Sequence, residues 1–311
     1  MFFEGAEKKL ELQLKSAAAS LRQLPQPFWA EFVACANAEI LSHIHNDFCD
    51  AYLLSESSLF VWDDRLLLLT CGKSTLVTAA TWVIENLAVD DIASLRYQRK
   101  NEYQAQLQAS TFADDISQLR HYLPGLAYRL GHLDLHHHYF FFAEHAKVSS
   151  DSRFELLMYH IRGELADYLN TAVQTEEGVL KRLQFDGLLN DFQFDSHCFS
   201  PFGFSLNGIR GEDYLSLHIT PQGKHQDNCS YVSFETNLNS QSLLNALLGH
   251  LLGLFSPSGW DVIELNLPSL TINQPQYSCL SQSKLTTVLG TIIGFRQFQQ
   301  CDTETLIPQL L

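Results

Sequence analysis

No apolar run in this 311-residue sequence approaches the roughly 18 residues that span a bilayer. The N-terminus also lacks the basic segment followed by an apolar one that is typical of a signal peptide. The seven cysteines are odd in number and contain no Cys-x-x-Cys pair, a pattern typical of reduced thiols. These absences predict a cytoplasmic protein without a transmembrane helix.

Basic residues are scarce, because the chain has 20 Lys and Arg but 35 Asp and Glu, which gives a net charge of −15. This balance argues against nucleic acid and anionic membranes as partners. A cationic ligand such as a sulfonium or a polyamine fits better, although a solvated acidic surface is the commoner explanation.

A histidine run, His136-His137-His138, suggests a metal site at first sight. On a strand only His136 and His138 share a face, because neighbouring side chains alternate. His132 and His145 lie nearby, but no Cys or carboxylate pattern completes a structural zinc site. We therefore expect no bound metal.

Hydrophobic periodicity predicts an antiparallel α+β fold, because many strands follow one another too closely for parallel crossovers. A composition of 46% hydrophobic and 18% charged residues suits a protein with a substantial core. The predicted strands are Lys9–Leu14, Glu39–Ile44, Ala51–Ser55, Leu59–Trp62, Leu66–Thr70, Ile92–Arg99, Leu126–Leu133, His138–Ala143, Phe154–His160, Phe202–Leu206, Leu215–Thr220, Tyr231–Glu235, Val262–Leu267 and Thr291–Phe298. The predicted helices are Phe28–Ala36, Asp114–Leu123, Glu164–Leu169, Glu176–Leu183, one capped by Ser74 that ends near Leu87, and one capped by Ser240 that ends near Leu254.

The connection Glu56-Ser57-Ser58 between two apolar segments lacks the Gly, Asn or Asp that usually supplies a positive φ. A strained Glu56–Ser57 peptide bond would explain this choice. The Ser57 hydroxyl could attack the Glu56 carbonyl, and β-elimination of the resulting ester would cut the chain and leave a pyruvoyl group. A plain polar strand connection is the alternative for these three residues alone.

Seven sequence blocks occur in the order seen in the eukaryotic-type S-adenosylmethionine decarboxylase family, which this chain resembles over most of its length. A match of seven ordered blocks is highly specific, whereas no single block would be. The blocks are Phe2–Lys8, Ala51–Phe60, Thr70–Gly72, Tyr97–Asn101, Gly203–Gly208, Leu217–Pro221 and Ser230–Asn237.

The resemblance implies one four-layer αββα sandwich of two antiparallel sheets, with helices on the outer faces and the active site between the sheets. It implies two related halves, about 1–150 and 151–311, in a single domain that cleaves itself between Glu56 and Ser57. The two cleaved chains would stay associated, and the fold allows a homodimer.

The resemblance also assigns the chemistry of a self-processing, pyruvoyl-dependent decarboxylase of S-adenosylmethionine that supplies polyamine synthesis. Ser57 would be the precursor of the pyruvoyl cofactor, an electron sink for decarboxylation. His218 would remove the Ser57 α-proton, Ser205 would orient the ester intermediate and Cys71 would reprotonate the substrate. In isolation, a strand histidine, a turn hydroxyl and a small buried thiol are the commoner explanations of these residues.

The substrate-binding residues implied by the resemblance come from both ends of the chain. Phe3 and Phe199 would stack on adenine, and Glu4, Glu7 and Leu54 would lie near the site, with Glu7 needed for processing or orientation. Core packing is the commoner role of a phenylalanine in a chain with 21 of them.

Gln222 departs from the family, which usually has Glu after His-Ile-Thr-Pro to grip the ribose hydroxyls. A glutamine can still bond a diol, without charge assistance. This departure leaves open a pyruvoyl decarboxylase for ornithine or arginine. A non-catalytic regulatory paralogue is the third alternative, and it would predict loss of the catalytic residues that are present here.

Animal members bind putrescine in an acidic cluster between the sheets, whereas plant members place basic side chains there. Leu69 replaces the lysine that animal members carry before Thr-Cys-Gly. Arg153 shares a strand face with two carboxylates if residues 151–155 are extended, so it could stand in for the diamine. The putrescine-site equivalents are Glu11, Asp151, Arg153, Glu155 and Glu235.

Overall fold

Two eight-stranded antiparallel sheets form the core of the computed structural model, which describes residues 7–15, 18–55, 57–72, 75–146, 152–171, 173–200, 202–221 and 230–301. The first sheet has the order β2-β3-β4-β5-β1-β6-β8-β7. Its strands are β1 (Lys8–Leu14), β2 (Ile40–His45), β3 (Asp50–Leu54), β4 (Ser57–Val61), β5 (Arg65–Thr70), β6 (Ile92–Lys100), β7 (Leu126–Leu130) and β8 (His138–Glu144).

The second sheet repeats this order with every strand number raised by eight, β10-β11-β12-β13-β9-β14-β16-β15. Two halves of the chain therefore have the same topology. The strands are β9 (Arg153–Tyr159), β10 (Gln193–Cys198), β11 (Phe204–Arg210), β12 (Asp213–Thr220), β13 (Tyr231–Thr236), β14 (Gly259–Leu265), β15 (Tyr277–Thr286) and β16 (Ile292–Gln300).

Helices cover the outer face of each sheet and complete four layers. Strand β1 shows why, because Leu10 and Leu12 face outward into a core with Trp29 and Phe32 of the first helix. A second apolar core joins the other sheet to its helices. The helices are α1 (Gln26–Ala34), α2 (Leu76–Asn86) and α3 (Phe112–Leu119) on the first sheet, and α4 (Glu164–Leu169), α5 (Glu176–Leu183) and α6 (Gln241–Phe255) on the second.

The space between the sheets is apolar at its two sides and polar in the middle. Phe140 and Phe295 belong to one apolar cluster, and Phe60 and Tyr214 belong to the other. Between them lie buried charged and hydroxyl side chains on β1, β9, β12 and β13. This polar middle carries the candidate site.

The structure confirms the predicted α+β sandwich with two related halves, and it corrects several elements. Sequence reasoning missed β10 and β15, which lie at sheet edges where one side meets solvent and fewer apolar residues are needed. The strand predicted at Phe202–Leu206 begins at Phe204 and continues to Arg210. The strand predicted to Leu133 ends at Leu130, because Gly131 follows with a φ of +100°.

Helix α2 begins at Leu76 after Thr75, and the predicted cap Ser74 lies outside the described residues. Among the helices in the described part of the chain, none is both long and apolar enough to cross a membrane.

Candidate active site

Ser57 is the first residue of β4 and has an unusual backbone, with a φ of +152°. Leu59 and Val61 of the same strand face outward into the helix-covered core, so alternation would turn Ser57 outward as well. Instead the hydroxyls of Ser57 and Ser58 both reach His218 between the sheets. The backbone at the predicted cleavage position is thus in a region that side chains rarely adopt, and such outliers cluster at functional sites.

His218 of β12 is the centre of the hydroxyl cluster. Its Nε2 lies 3.0 Å from Ser57 Oγ, and its Nδ1 lies 2.7 Å from Ser205 Oγ of β11. Burial lowers the pKa of His218 to about 3, and the charge of Lys9 acts in the same direction. The imidazole is therefore neutral at physiological pH, so one of its nitrogens can accept a proton.

Three further residues belong to this cluster and were not predicted. Ser216 Oγ lies 2.7 Å and Ser58 Oγ 3.2 Å from His218 Nε2. Ser58 Oγ donates to Asn207 Oδ1 at 2.5 Å. The signal was present, since Ser216 and Asn207 each stand two residues from a predicted site residue on a strand and must share its face.

Cys71 directly follows Thr70, the residue that pairs with Ser57 in the β4–β5 register. The structure therefore brings the predicted proton donor and the predicted pyruvoyl precursor to adjacent strand ends. Cys71 is half-buried, and it is one of six cysteines among the described residues that form no disulfide. The neighbouring Gly72 carbonyl accepts a hydrogen bond of 3.0 Å from Lys8 Nζ, and burial, followed by the charge of Arg99, lowers the pKa of Lys8 to about 8.

The predicted substrate-binding residues are only partly described. Phe199 is half-buried at the end of β10, and its ring meets His197 edge-on with centroids 4.8 Å apart. The Leu54 side chain is fully buried in the outer core, so it faces the helices and not the hydroxyl cluster. Three of them, Phe3, Glu4 and Gln222, lie outside the described part of the chain, as does Glu56 of the predicted cleavage site.

Lys9 of β1 lies in the middle of a buried ion network. Its Nζ is 2.9 Å from Glu7 Oε2 and 2.7 Å from Glu155 Oε2, and it also contacts Glu235 Oε2. Burial raises the pKa of the Glu7 carboxyl despite the nearby ammonium. Burial also opposes ionisation of Glu155, but the charges of Lys9 and Arg153 outweigh it and hold that pKa below its usual value.

Arg153 of β9 joins the same network from the second sheet. Its Nη2 lies 2.8 Å from Glu11 Oε2, and its Nε lies 3.3 Å from Glu235 Oε1. Arg96 Nη2 of β6 is 2.5 Å from the same Glu11 oxygen. Although burial works to raise the pKa of Glu11, the two guanidinium groups hold it below its usual value.

The geometry agrees with the predicted strand face, because Arg153 and Glu155 both point between the sheets and are buried. Asp151, predicted to share that face, lies outside the described residues. Sequence reasoning missed Lys9 and Arg96. Lys9 pairs directly with Leu69 in the β1–β5 register, so a lysine stands on the strand next to that leucine.

His136 and His138 share a face as predicted, and both contact the buried carboxylate of Asp261. His136 Nδ1 lies 3.3 Å from Oδ1, and His138 Nε2 lies 3.4 Å from Oδ2. In the described ranges, no group of three or more His, Cys, Asp or Glu is arranged to hold a metal ion.

Comparisons with known proteins agree with the sequence resemblance. A family model described as adenosylmethionine decarboxylase matches residues 1–306. The S-adenosylmethionine decarboxylase proenzyme of Trypanosoma cruzi is 30% identical over 84% of this chain and 75% of its own length. The corresponding proenzyme of Xenopus laevis is 32% identical over 82% of this chain and 81% of its own length.

A solved structure, the Trypanosoma brucei AdoMetDC-delta26 monomer, has the same fold. It superposes with a TM-score of 0.62 and 20% identity over 78% of this chain and 99% of its own. Because the family model covers nearly the whole sequence, the chain belongs to the adenosylmethionine decarboxylase family.

Proposed function

We propose that this protein is a self-processing S-adenosylmethionine decarboxylase that makes its pyruvoyl group from Ser57. The observation that carries the proposal is the contact between Ser57 Oγ and the neutral His218 Nε2 at 3.0 Å, at a serine with a φ of +152°. Membership in a family whose relatives are named proenzymes supports it.

Cleavage uses groups of the chain itself. Ser57 Oγ bonds to the Glu56 carbonyl carbon while the peptide C–N bond breaks, which gives an ester and a free Ser57 amine. Loss of the Ser57 α-proton and of the Cβ–Oγ bond then separates the two chains. The first chain ends in the Glu56 carboxylate, and water replaces the amine nitrogen on the second, releasing ammonia and leaving pyruvoyl.

His218 is the base in this proposal, because its Nε2 is held beside Ser57 while Ser205 at Nδ1 fixes the ring. A buried, neutral imidazole suits proton abstraction at neutral pH. The positive φ of Ser57 is strain that cleavage would relieve.

When formed, the pyruvoyl group supplies an electron sink for the carbanion left by decarboxylation. Cys71, one residue beyond the partner of Ser57, then holds the proton for the substrate α-carbon. Phe199 is the described member of the predicted adenine stack, and its half-buried ring is open to such a contact. Glu7 precedes β1 of the first sheet and lies buried beside Lys9, and burial raises the pKa of its carboxyl, so we propose it as a second proton carrier.

We further propose that Lys9, Arg96 and Arg153 replace putrescine as the cations of the acidic cluster. Four buried carboxylates, on Glu7, Glu11, Glu155 and Glu235, meet these three cations in the described network. Such a cluster without cations would force carboxylates to protonate. Because the charges of this network nearly balance, binding of an additional diamine would gain little electrostatic free energy.

Self-cleavage is tested by following the purified protein on a denaturing gel and by mass spectrometry. We expect a short chain that ends at Glu56 and a long chain blocked to Edman degradation by pyruvoyl. The Ser57→Ala variant should remain one chain. A wild-type protein that stays intact, with residue 57 still a serine after long incubation, would contradict the proposal.

The substrate is tested by carbon dioxide release from S-adenosylmethionine, ornithine and arginine. We expect release from S-adenosylmethionine by the cleaved protein and none by Ser57→Ala. Release of carbon dioxide from ornithine or arginine, but not from S-adenosylmethionine, would show that the substrate is a basic amino acid.

A further inference from the structure

Nε2 of His218 faces more hydroxyls than one nitrogen lone pair can bind. Ser216, Ser57 and Ser58 place their Oγ atoms 2.7, 3.0 and 3.2 Å from Nε2. A neutral imidazole has one acceptor nitrogen with one lone pair in the ring plane, so the three hydroxyls cannot all donate to it. The other contacts of each hydroxyl decide which of them donates.

The hydroxyl proton of Ser58 already forms a hydrogen bond with Asn207. Asn207 Nδ2 donates to the Tyr52 carbonyl at 3.1 Å, which turns Asn207 Oδ1 toward Ser58. Ser58 Oγ donates to that oxygen at 2.5 Å. Ser58 can therefore accept but not donate toward its other neighbours, and Ser57 and Ser216 are the two hydroxyls left to donate to Nε2.

Ser216 has a second acceptor within reach, since its Oγ lies 3.5 Å from Ser58 Oγ. It also stands two residues before His218 on β12, so its contact with the ring does not depend on how the two sheets are spaced. Ser57, in contrast, reaches His218 from the other sheet.

We propose that Ser216 is a positioning residue for His218. It donates a hydrogen bond to Nε2 until the Ser57 hydroxyl donates to that nitrogen, and the Ser216 hydroxyl then rotates to donate to Ser58 Oγ. The proposal rests on the proposed role of Ser57 as the residue that is cleaved. When cleavage removes the Ser57 hydroxyl, Ser216 is the hydroxyl that remains to donate to Nε2. It thereby keeps the proton of the neutral ring on Nδ1 and leaves Nε2 unprotonated beside residue 57.

The first test compares the rate of chain cleavage in Ser216→Ala, Ser216→Thr and the wild type. Loss of one neutral hydrogen bond at a buried base should slow Ser216→Ala on the order of tenfold. Ser216→Thr keeps the hydroxyl and should restore most of the rate. Ser281→Ala, at a buried serine on β15, is the matched control and should cleave normally. Wild-type cleavage by Ser216→Ala, or equal slowing in the Ala and Thr variants, would overturn the proposal.

The second test needs no cleavage. In Ser57→Ala, nitrogen-15 NMR of the imidazole should show His218 protonated on Nδ1, because Ser216 alone donates to Nε2. Adding Ser216→Ala should shift the ring toward the Nε2–H form, which can donate to Ser58. Identical spectra in the two proteins would overturn the role of Ser216. If the wild-type chain never cleaves, the proposed function fails while this measurement still decides what Ser216 does.

Discussion

At the scale of single residues, the candidate site depends on a histidine that burial keeps neutral. Ordinary histidines titrate near pH 6.5, so a base of this kind loses activity as the pH falls toward 5. His218 is different because burial lowers its pKa to about 3. A lowered pKa for a basic group leaves the deprotonated form populated over the whole range above that value.

The expected result is a cleavage rate that stays nearly constant from about pH 8 down to about pH 5. His218→Ala should stay uncleaved or stop at the ester, and His121→Ala, at an exposed histidine in the turn after α3, should cleave normally. Time courses of cleavage across the pH range provide the measurement. A rate that falls with an apparent pKa near 6.5 would show that the base is not a buried neutral His218.

Residue chemistry could be predicted where a pattern was local, and it was missed where the partner lay on another strand. The run around Ser57 and the block around His218 predicted both ends of the 3.0 Å contact. Lys9 was missed because two of its three carboxylate partners, Glu155 and Glu235, are 146 and 226 residues away and reach it across the sheet interface. Only the packing of the two sheets brings such charges together.

At the scale of elements, the apolar strands were predicted, and two polar edge strands of the second sheet, β10 and β15, were not. β4 and β5 are buried along nearly their whole length, and the apolar runs Leu59–Val61 and Leu66–Leu69 make them distinctive in the sequence. β15, Tyr277–Thr286, is mostly exposed and polar, and a polar sequence of this kind is typical of a loop. Its pairing with β16 is set by main-chain hydrogen bonds, which leave no signal in side-chain hydrophobicity.

Element packing predicts opposite effects for two glycine substitutions. A Cβ on Gly125, just before β7, would lie 2.4 Å from the Phe142 carbonyl oxygen and 2.5 Å from the Phe141 ring. Gly125→Ala should therefore destabilise the protein by about 1–3 kcal/mol. Gly249→Ala, in the middle of α6 with nothing within 4 Å of the new Cβ, should stabilise it by about 0.5–1 kcal/mol.

Thermal unfolding in the uncleaved Ser57→Ala background measures both effects on one covalent chain. At this chain length, 1 kcal/mol corresponds to a shift in Tm of about 1–2 °C. A Gly125→Ala protein as stable as its parent would show that β7 can move away from β8 at little cost.

At the scale of the whole molecule, the ion network connects the two sheets and thus the two halves of the chain. Glu11 belongs to the first sheet, and its partner Arg153 belongs to the second. Both side chains are buried, so neither charge can be solvated by water if the other is removed. Removing either partner would therefore destabilise the sheet interface, and the network occupies the place proposed above for a bound diamine.

We expect putrescine to stimulate the wild-type decarboxylase weakly or not at all, because Lys9, Arg96 and Arg153 already neutralise the cluster. Arg153→Ala should lose about 3–5 kcal/mol of stability, since it leaves buried carboxylates without a partner. Putrescine should then restore both activity and Tm, because a diamine can supply the missing charge.

Carbon dioxide release and thermal unfolding with and without putrescine measure these effects. Arg210→Ala is the matched control, because Arg210 pairs with Asp213 at the surface, where a salt bridge contributes at most about 1 kcal/mol. Its activity should not respond to putrescine, and its Tm should stay close to that of the wild type. Several-fold activation of the wild type at neutral pH, unchanged by Arg153→Ala, would mean that the diamine binds elsewhere and that Arg153 does not stand in for it.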